Sequence, residues 1–324
     1  MLYVTLPDEK TRRASFYLAM EEYVARRAPR GDYFFCWQVG PSVVFGRNQV
    51  AAAEVDTAYC RDKGIGMFRR KSGGGCIYAD RGNVMLSFVT GGGDVALTFN
   101  RYVSTVVLML RQMGIAASAT GRNDIVVDGR KVSGSAFYRL PGRNIVHGTL
   151  LYDTDMNNMT HALTPPGDKL RSKGVESVRQ RIALLKDYTG VGTDGLTAHM
   201  RRALCGGEYA LTAEDVAAIE RGEEDVYLSQ AFILGKDPRH TLVRRRRLDG
   251  AGCLEAHVEV KGGVIRSVEL TGDFFATGDV EAVLDSLKGV RMSREAVSAA
   301  LPESAGGVIM NLGKEELVSL IVNA

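Results

Sequence analysis

Between residues 11 and 27 the apolar side chains Phe16, Ala19, Met20, Tyr23 and Val24 recur at three- and four-residue steps, and Pro29 follows. That spacing predicts an amphipathic helix. Residues 33–39 and 42–45 are short apolar runs either side of Gly40-Pro41, which predicts two strands about a turn. Residues 65–70 lead into Ser72-Gly73-Gly74-Gly75. The chain resumes at 76–78, turns at 80–83 and returns over 84–89, which predicts a hairpin interrupted by a glycine loop. A second helix is expected over 99–113, where Phe99, Val103, Val106, Val107 and Leu110 share a face and Gly114 closes the pattern. Strands follow at 124–127, 131–137 and 144–152, then a polar, loop-rich stretch over 154–187. Helices are expected at 193–204 and 212–220, the latter opened by a Thr-x-x-Asp capping pattern. Beyond a linker-like stretch at about 236–247 come strands at 253–260 and 264–270 and helices at 279–287, 294–301 and 314–322.

This order of elements predicts an α/β (α+β) protein: a mixed sheet with flanking helices over residues 1–240, and a smaller α/β domain over 247–324. A chain of 324 residues suits two domains at ~100–200 residues each. Hydrophobic residues at 45% and charged residues at 24% suit a globular core. Apolar runs fall far short of the ~20 residues of a membrane span, and the start, MLYVTLPDEKTRR, does not read as a signal peptide. No membrane association and a cytoplasmic address are therefore expected. The five cysteines are widely spaced without CxxC, which disfavours a disulfide framework or zinc site. A formal net charge of +3 does not by itself imply nucleic acid. The run Arg244–Arg247 lacks interleaved aromatics; it is expected to face solvent or meet an acidic partner, not nucleic acid.

Four segments carry candidate chemistry. In Arg69-Arg70-Lys71-Ser72-Gly73-Gly74-Gly75, successive glycines let backbone N–H groups converge on an anion, and the arginines suit phosphate. No Gly-Lys-Ser/Thr follows, so this is not a Walker loop; a flexible turn would give the same triplet. In Asn123-Asp124 through Asp128-Gly129 to Lys131-Val132-Ser133-Gly134-Ser135, Asp128-Gly129 is a hairpin signal. The hairpin would bring Asp124 and Lys131 to one site, with Ser133, Gly134 and Ser135 leaving room for a ligand. A lysine there could neutralise a carboxylate or phosphate; read alone it is an ordinary hairpin lysine. His147-Gly148 could bind substrate or serve in acid–base chemistry, or be structural. The basic stretch over 169–181 could clamp an anion from a loop or simply be solvated.

Taken in order, these segments resemble the lipoate–protein ligase A family. RRKSGGGCIYADRGN is similar to its RR-x-SGGG signature, GRNDIVVDGRKVSGSA to its GRND…RK-(V/I)-SGSA signature, and HGTLLYDTDM, KGVESVRQRI, WQVGPSVVFGRNQ and GCLEAHVEVKGGVIRSVELTGDFF align with others. The resemblance spans nearly the whole chain. It implies a fold of the biotin/lipoate ligase type. The implied reaction joins lipoate and ATP into lipoyl-AMP, with magnesium, then transfers the lipoyl group to a lysine of a carrier domain, either a 2-oxoacid dehydrogenase E2 subunit or glycine cleavage H protein. By resemblance, Arg70, Gly75, Cys76, Ile77, Tyr78, Asn123 and Asp124 would contact ATP, Asp124 serving the metal. Ser72, Gly73, Gly74, Ser133, Gly134, His147 and Gly148 would line the lipoate site, with Lys131 reaching both substrates. Ala79 stands where the family has histidine, and Tyr17 where it has asparagine, which puts the acyl pocket's details in question. Two alternatives stay in view: an ATP-independent lipoyl or octanoyl transferase of the same superfamily, in some cases with a cysteine nucleophile, and a nucleic-acid-binding protein.

Overall fold

The computed structural model describes residues 1–120, 123–163, 180–235 and 238–322. In chain order the elements are β1 (Leu2–Thr5), α1 (Ala14–Arg27), β2 (Tyr33–Trp37), β3 (Ser42–Phe45), α2 (Ala51–Glu54), α3 (Thr57–Asp62), β4 (Gly66–Arg69), β5 (Ile77–Ala79), β6 (Asn83–Gly91), α4 (Val95–Gln112), β7 (Ala117–Thr120), β8 (Asp124–Val127), β9 (Arg130–Leu140), β10 (Arg143–Leu151), α5 (Met156–Ala162), α6 (Gly192–Leu204), β11 (Gly207–Ala210), α7 (Ala213–Gly222) and α8 (Gln230–Leu234). After these come β12 (Leu242–Leu248), β13 (Gly252–Lys261), β14 (Val264–Gly272), α9 (Val280–Asp285), α10 (Arg294–Ala300) and α11 (Lys314–Val322). The chain divides into two compact units. The first comprises Met1–Phe45, Ala51–Arg70 and Cys76–Ile233; the second comprises Gly46–Val50, Lys71–Gly75 and Leu234–Ala324.

In the first unit an eight-stranded mixed sheet runs β11-β1-β2-β6-β10-β9-β8-β7. Cross-strand partners share a face, so the pairs Tyr33–Val89, Phe35–Ser87 and Trp37–Met85 put one face of β2 and β6 toward α1. Helix α1 buries Phe16, Leu18, Met20 and Val24, residues too widely spread for a single stripe. Val44 and Phe68 of the small sheet, and Val216 and Ile219 of α7, join the same core, so the helix is enclosed on several sides. Each such apolar side chain contributes roughly 1.5–3 kcal/mol when fully buried. Helix α4 begins earlier than its apolar spacing implies, because Asp94 accepts the N–H of Leu97 and caps it. Helix α7 carries the expected capping box between Thr212 and Asp215.

The expected hairpin around the glycine loop does not form. β5 pairs with β3, whose other neighbour is β4, in a separate three-stranded sheet; β6 crosses into the large sheet between β2 and β10. The turn at 80–83 is held by other partners. Asp80 accepts N–H groups from both Gly82 and Asp155, and Asn83 donates to the Tyr78 carbonyl. A side chain on Gly82 would collide with the Asp153 backbone. The turn is thus tied to the segment leaving β10.

The second unit holds an antiparallel sheet, β12-β13-β14, over a core that includes Leu254, Ala256, Val258, Val297, Leu317 and Leu320. Here the linker reading is corrected: Arg244–Arg247 lie within edge strand β12, and Arg244 donates to the Ile321 carbonyl at the end of α11. No helix among the described residues is long and apolar enough to cross a membrane.

Candidate active site

Lys131 stands near the start of β9, and its Nζ lies 2.8 Å from Asp124 Oδ1 on β8; both side chains are between one-third and two-fifths exposed. A β-bulge makes this pairing possible. Val126 faces Lys131, yet Ile125 faces Ser133, so Val132 is the extra residue. Val132 and Ser133 therefore both turn inward, and bare Gly134 comes to lie opposite Asp124. The Lys131 side chain crosses that bare position: a Cβ on Gly134 would sit 3.0 Å from Nζ and 3.1 Å from Cε. Asn123 fixes the entry to β8 by exchanging hydrogen bonds with the Ser135 backbone, Nδ2 to O at 2.8 Å and Ser135 N to Asn123 O at 3.0 Å. On the other side of Lys131, its carbonyl accepts the N–H of Ala183 at 2.9 Å.

The face holding Lys131 and Asp124 continues across the sheet. Gly134 pairs with Thr149, Ala136 with His147, and His147 with Ser87. Above His147 lies Glu21 of α1, fully buried. His147 Nδ1 is 2.9 Å from both Glu21 oxygens, and Ser87 Oγ donates to Glu21 Oε1 at 2.6 Å. Trp37 Nε1 donates to Ser87 Oγ at 2.8 Å, and Tyr17 stacks on Trp37 with centroids 4.8 Å apart and planes at 15°. Arg70 is buried nearby: burial pushes its guanidinium down to about 10, partly offset by Cys76 and the Glu21 carboxylate, and its Nη1 donates to the Val44 carbonyl. One sheet face thus runs from a lysine–carboxylate pair at its margin to a buried polar and aromatic cluster under α1.

Several expected residues lie elsewhere. Ser133, Ser135 and Gly148 belong to the opposite face, where a side chain on Gly148 would meet Tyr102 of α4 and Ser135. Ser133 and Gly148, expected by resemblance to line the lipoate site, thus stand on the face away from Lys131 and Asp124, Ser133 because of the bulge in β9. Tyr78 is buried among Val43, Phe45 and Cys60, and the main chains of Ile77 and Tyr78 pair with β3. β5 is nevertheless an edge strand, so its outer main-chain side is outside that ladder. Cys76 is half-buried, and desolvation pushes its thiol well up despite Arg70. The basic stretch 169–179 lies outside the described residues.

Ser72, Gly73, Gly74 and Gly75 group with the second unit. There the Ser72 carbonyl accepts Arg47 N–H at 2.8 Å, and Gly74 takes φ +86°, a conformation that favours glycine. Gly73 packs on the Phe274 carbonyl so closely that any Cβ would collide with it. Asn48 and Gly272 close the same cluster, Gly272 N donating to Asn48 O at 2.9 Å. Among the described residues no group of three or more His, Cys, Asp or Glu side chains could hold a metal ion, and Asp124 is already paired with Lys131. Among the described residues, Asp124 thus has no group of further ligating side chains beside it for the expected metal.

Glu21, Ser87 and Trp37 were missed in the sequence. Glu21 falls in the middle of a helical pattern, and only the fold sets it against His147. Unpaired acidic residues on an otherwise apolar helix face are the signal that could have found it.

A profile of the lipoyl protein ligase A/B catalytic domain matches residues 13–204, and one of the bacterial lipoate protein ligase C-terminus matches residues 237–321. The chain is 34% identical over 320 residues to the lipoate-protein ligase LplJ of Bacillus subtilis (strain 168), covering 94% of this chain and 95% of the relative. It is 33% identical over 294 residues to lipoate–protein ligase 1 of Staphylococcus aureus (strain Mu50), covering 88% and 89%. Among solved structures, the bipartite lipoate protein ligase of Thermoplasma acidophilum, studied with its E2 lipoyl domain, superposes with TM-score 0.66 at 25% identity, over 74% of this chain and 98% of that one. LipL1 of P. falciparum in complex with lipoate shares the fold, with TM-score 0.73 at 20% identity over 93% of each chain. The chain belongs to the lipoate–protein ligase family.

Proposed function

We propose that the protein activates lipoate with ATP and transfers the lipoyl group to a lysine of a carrier domain. A lipoate carboxylate oxygen attacks the α-phosphorus of ATP, pyrophosphate leaves, and lipoyl-AMP forms. The carrier amine then attacks the acyl carbon, AMP leaves, and the amine loses a proton as the amide forms. The single observation that carries this reading is the Lys131–Asp124 pair laid over Gly134. The first step brings two anions together, and a positioned ammonium offsets their repulsion where charge builds. Asp124 orients Lys131, while the face toward His147, Glu21 and Trp37 takes the acyl chain. Arg70 and the Cys76–Tyr78 segment serve the nucleotide. Magnesium enters as the counter-ion of ATP.

The carriers are E2 subunits of 2-oxoacid dehydrogenases or the glycine cleavage H protein, met in the cytoplasm. Cys36, Cys60, Cys76 and Cys205 are poor candidates for a transferase nucleophile, because desolvation raises their thiols away from the reactive thiolate. The test is mass spectrometry of an apo lipoyl domain incubated with enzyme, lipoate, ATP and magnesium. Mass gain by one lipoyl group only when ATP is present supports the reading; gain from an acyl carrier without ATP overturns it.

A further inference from the structure

The two ends of the large sheet are finished differently. At one end β11 carries Glu208, held by Arg201 of α6. At the other end β7 reads Ala117-Ser118-Ala119-Thr120, with no charge and no proline, and among the described residues nothing pairs with its outer side. Open edges are normally blunted by charge, proline or a bulge; β7 has no such residue of its own, and Arg111 covers only its Ala117 end. The two groups of Ala117 point outward but are already used: its N–H goes to the Ile115 carbonyl at 2.7 Å, and its carbonyl accepts Arg111 Nε at 2.8 Å. Antiparallel pairs alternate, so Ala119, two residues on, also directs its N–H and C=O away from β8. Ala119 is exposed.

Its neighbour Thr120 pairs directly with Asp124, the partner of Lys131. A strand added outside β7 would lie two spacings from β8, ~10 Å at ~4.8 Å each. That is close enough for a lysine side chain on the added strand to approach an acyl group held at Lys131. Main-chain pairing of this kind gives affinity while tolerating varied side chains.

We infer that the edge of β7 at Ala119 receives an extended segment of the acyl-acceptor protein, next to its target lysine. This rests on the function proposed above. The test uses the full-length enzyme and an apo lipoyl domain of an E2 subunit. Ala119→Pro removes only an N–H that faces away from β8, a position where an edge strand accepts proline; Ala119→Val keeps the N–H. Ala119→Pro is expected to raise KM for the lipoyl domain roughly tenfold, the order set by one or two main-chain hydrogen bonds. Pyrophosphate release from lipoate and ATP alone should stay within about twofold of wild type for both variants. In the wild-type enzyme, hydrogen exchange at the Ala119 amide should slow when the lipoyl domain is added, which decides the matter even if the proline variant misfolds. An unchanged KM in a folded Ala119→Pro enzyme, or no protection at Ala119, overturns the docking while leaving the ligase reading intact. A wild-type enzyme that forms no lipoyl-AMP overturns the ligase reading and the docking that rests on it.

Discussion

Replacing Gly134 separates what the Lys131–Asp124 pair does for folding from what it does for chemistry. A Cβ at Gly134 would stand 3.0 Å from Lys131 Nζ, 3.1 Å from Cε and 3.8 Å from Asp124 Oδ1. Comfortable carbon contacts need ~3.5–4.0 Å, so alanine asks the lysine to move by about half an ångström, and valine by about 1 Å. Both charged groups are partly exposed, and pairs of this kind contribute only ~0.2–1 kcal/mol to stability. Gly134 has no positive φ, so losing a strand glycine returns ~0.4–1 kcal/mol through the unfolded chain. The two terms nearly cancel, and melting of Gly134→Val should stay within about 1 kcal/mol of wild type. Misplacing a reacting group by about 1 Å costs ~10²-fold in rate, equivalent to ~2.7 kcal/mol of barrier. Pyrophosphate release should therefore fall ~10²-fold for valine and less for alanine, with calorimetry showing intact folding. A valine variant as fast as wild type would refute the idea that activation uses Lys131 in this position. Equal collapse of rate and melting temperature would show that Gly134 matters only to the fold.

Cys76→Ser should keep ATP-dependent lipoylation within about twofold, since a thiol pushed upward by desolvation is a poor nucleophile; loss of transfer with activation intact would restore the cysteine mechanism. Glu21→Ala leaves His147 and Ser87 short of a buried acceptor. At ~1–3 kcal/mol for each unsatisfied group, thermal melting should show a clear loss of stability, and Glu21→Gln, which keeps an acceptor oxygen, a smaller one.

The sequence carried the alternation of strands and helices closely, because apolar spacing records which face is buried. Helix α11 and strands β3 and β8 fall where their patterns put them. Short strands such as β1, β7 and β11 went unread, since four residues hold too little periodicity and their pairing is settled by distant partners. The hairpin at 65–89 was misread for a similar reason: which sheet a strand joins depends on Asp80 and Gly82 gripping a segment some seventy residues away. At the site, turn chemistry at Asp128-Gly129 made the Lys131–Asp124 approach legible. The bulge did not announce itself, so the small residues Ser133, Gly134 and Ser135 gave no sign of which of them would face Lys131. Arg244–Arg247 looked like a linker because charge masked the two-residue period of an edge strand.

The second unit is assembled from three separate stretches of chain, two of them short segments that interrupt the first unit in sequence. A gene cut between residues 234 and 241 would therefore not yield two self-sufficient products. The shorter product would lack Asn48 and the glycine loop, and the longer would carry those loops without Gly272 and Phe274 to seat them. Expressed separately, the halves should each be less resistant to protease than the intact chain, yet regain that resistance on mixing. An architecture that interleaves its parts in this way can be divided between two polypeptides only if they find each other again.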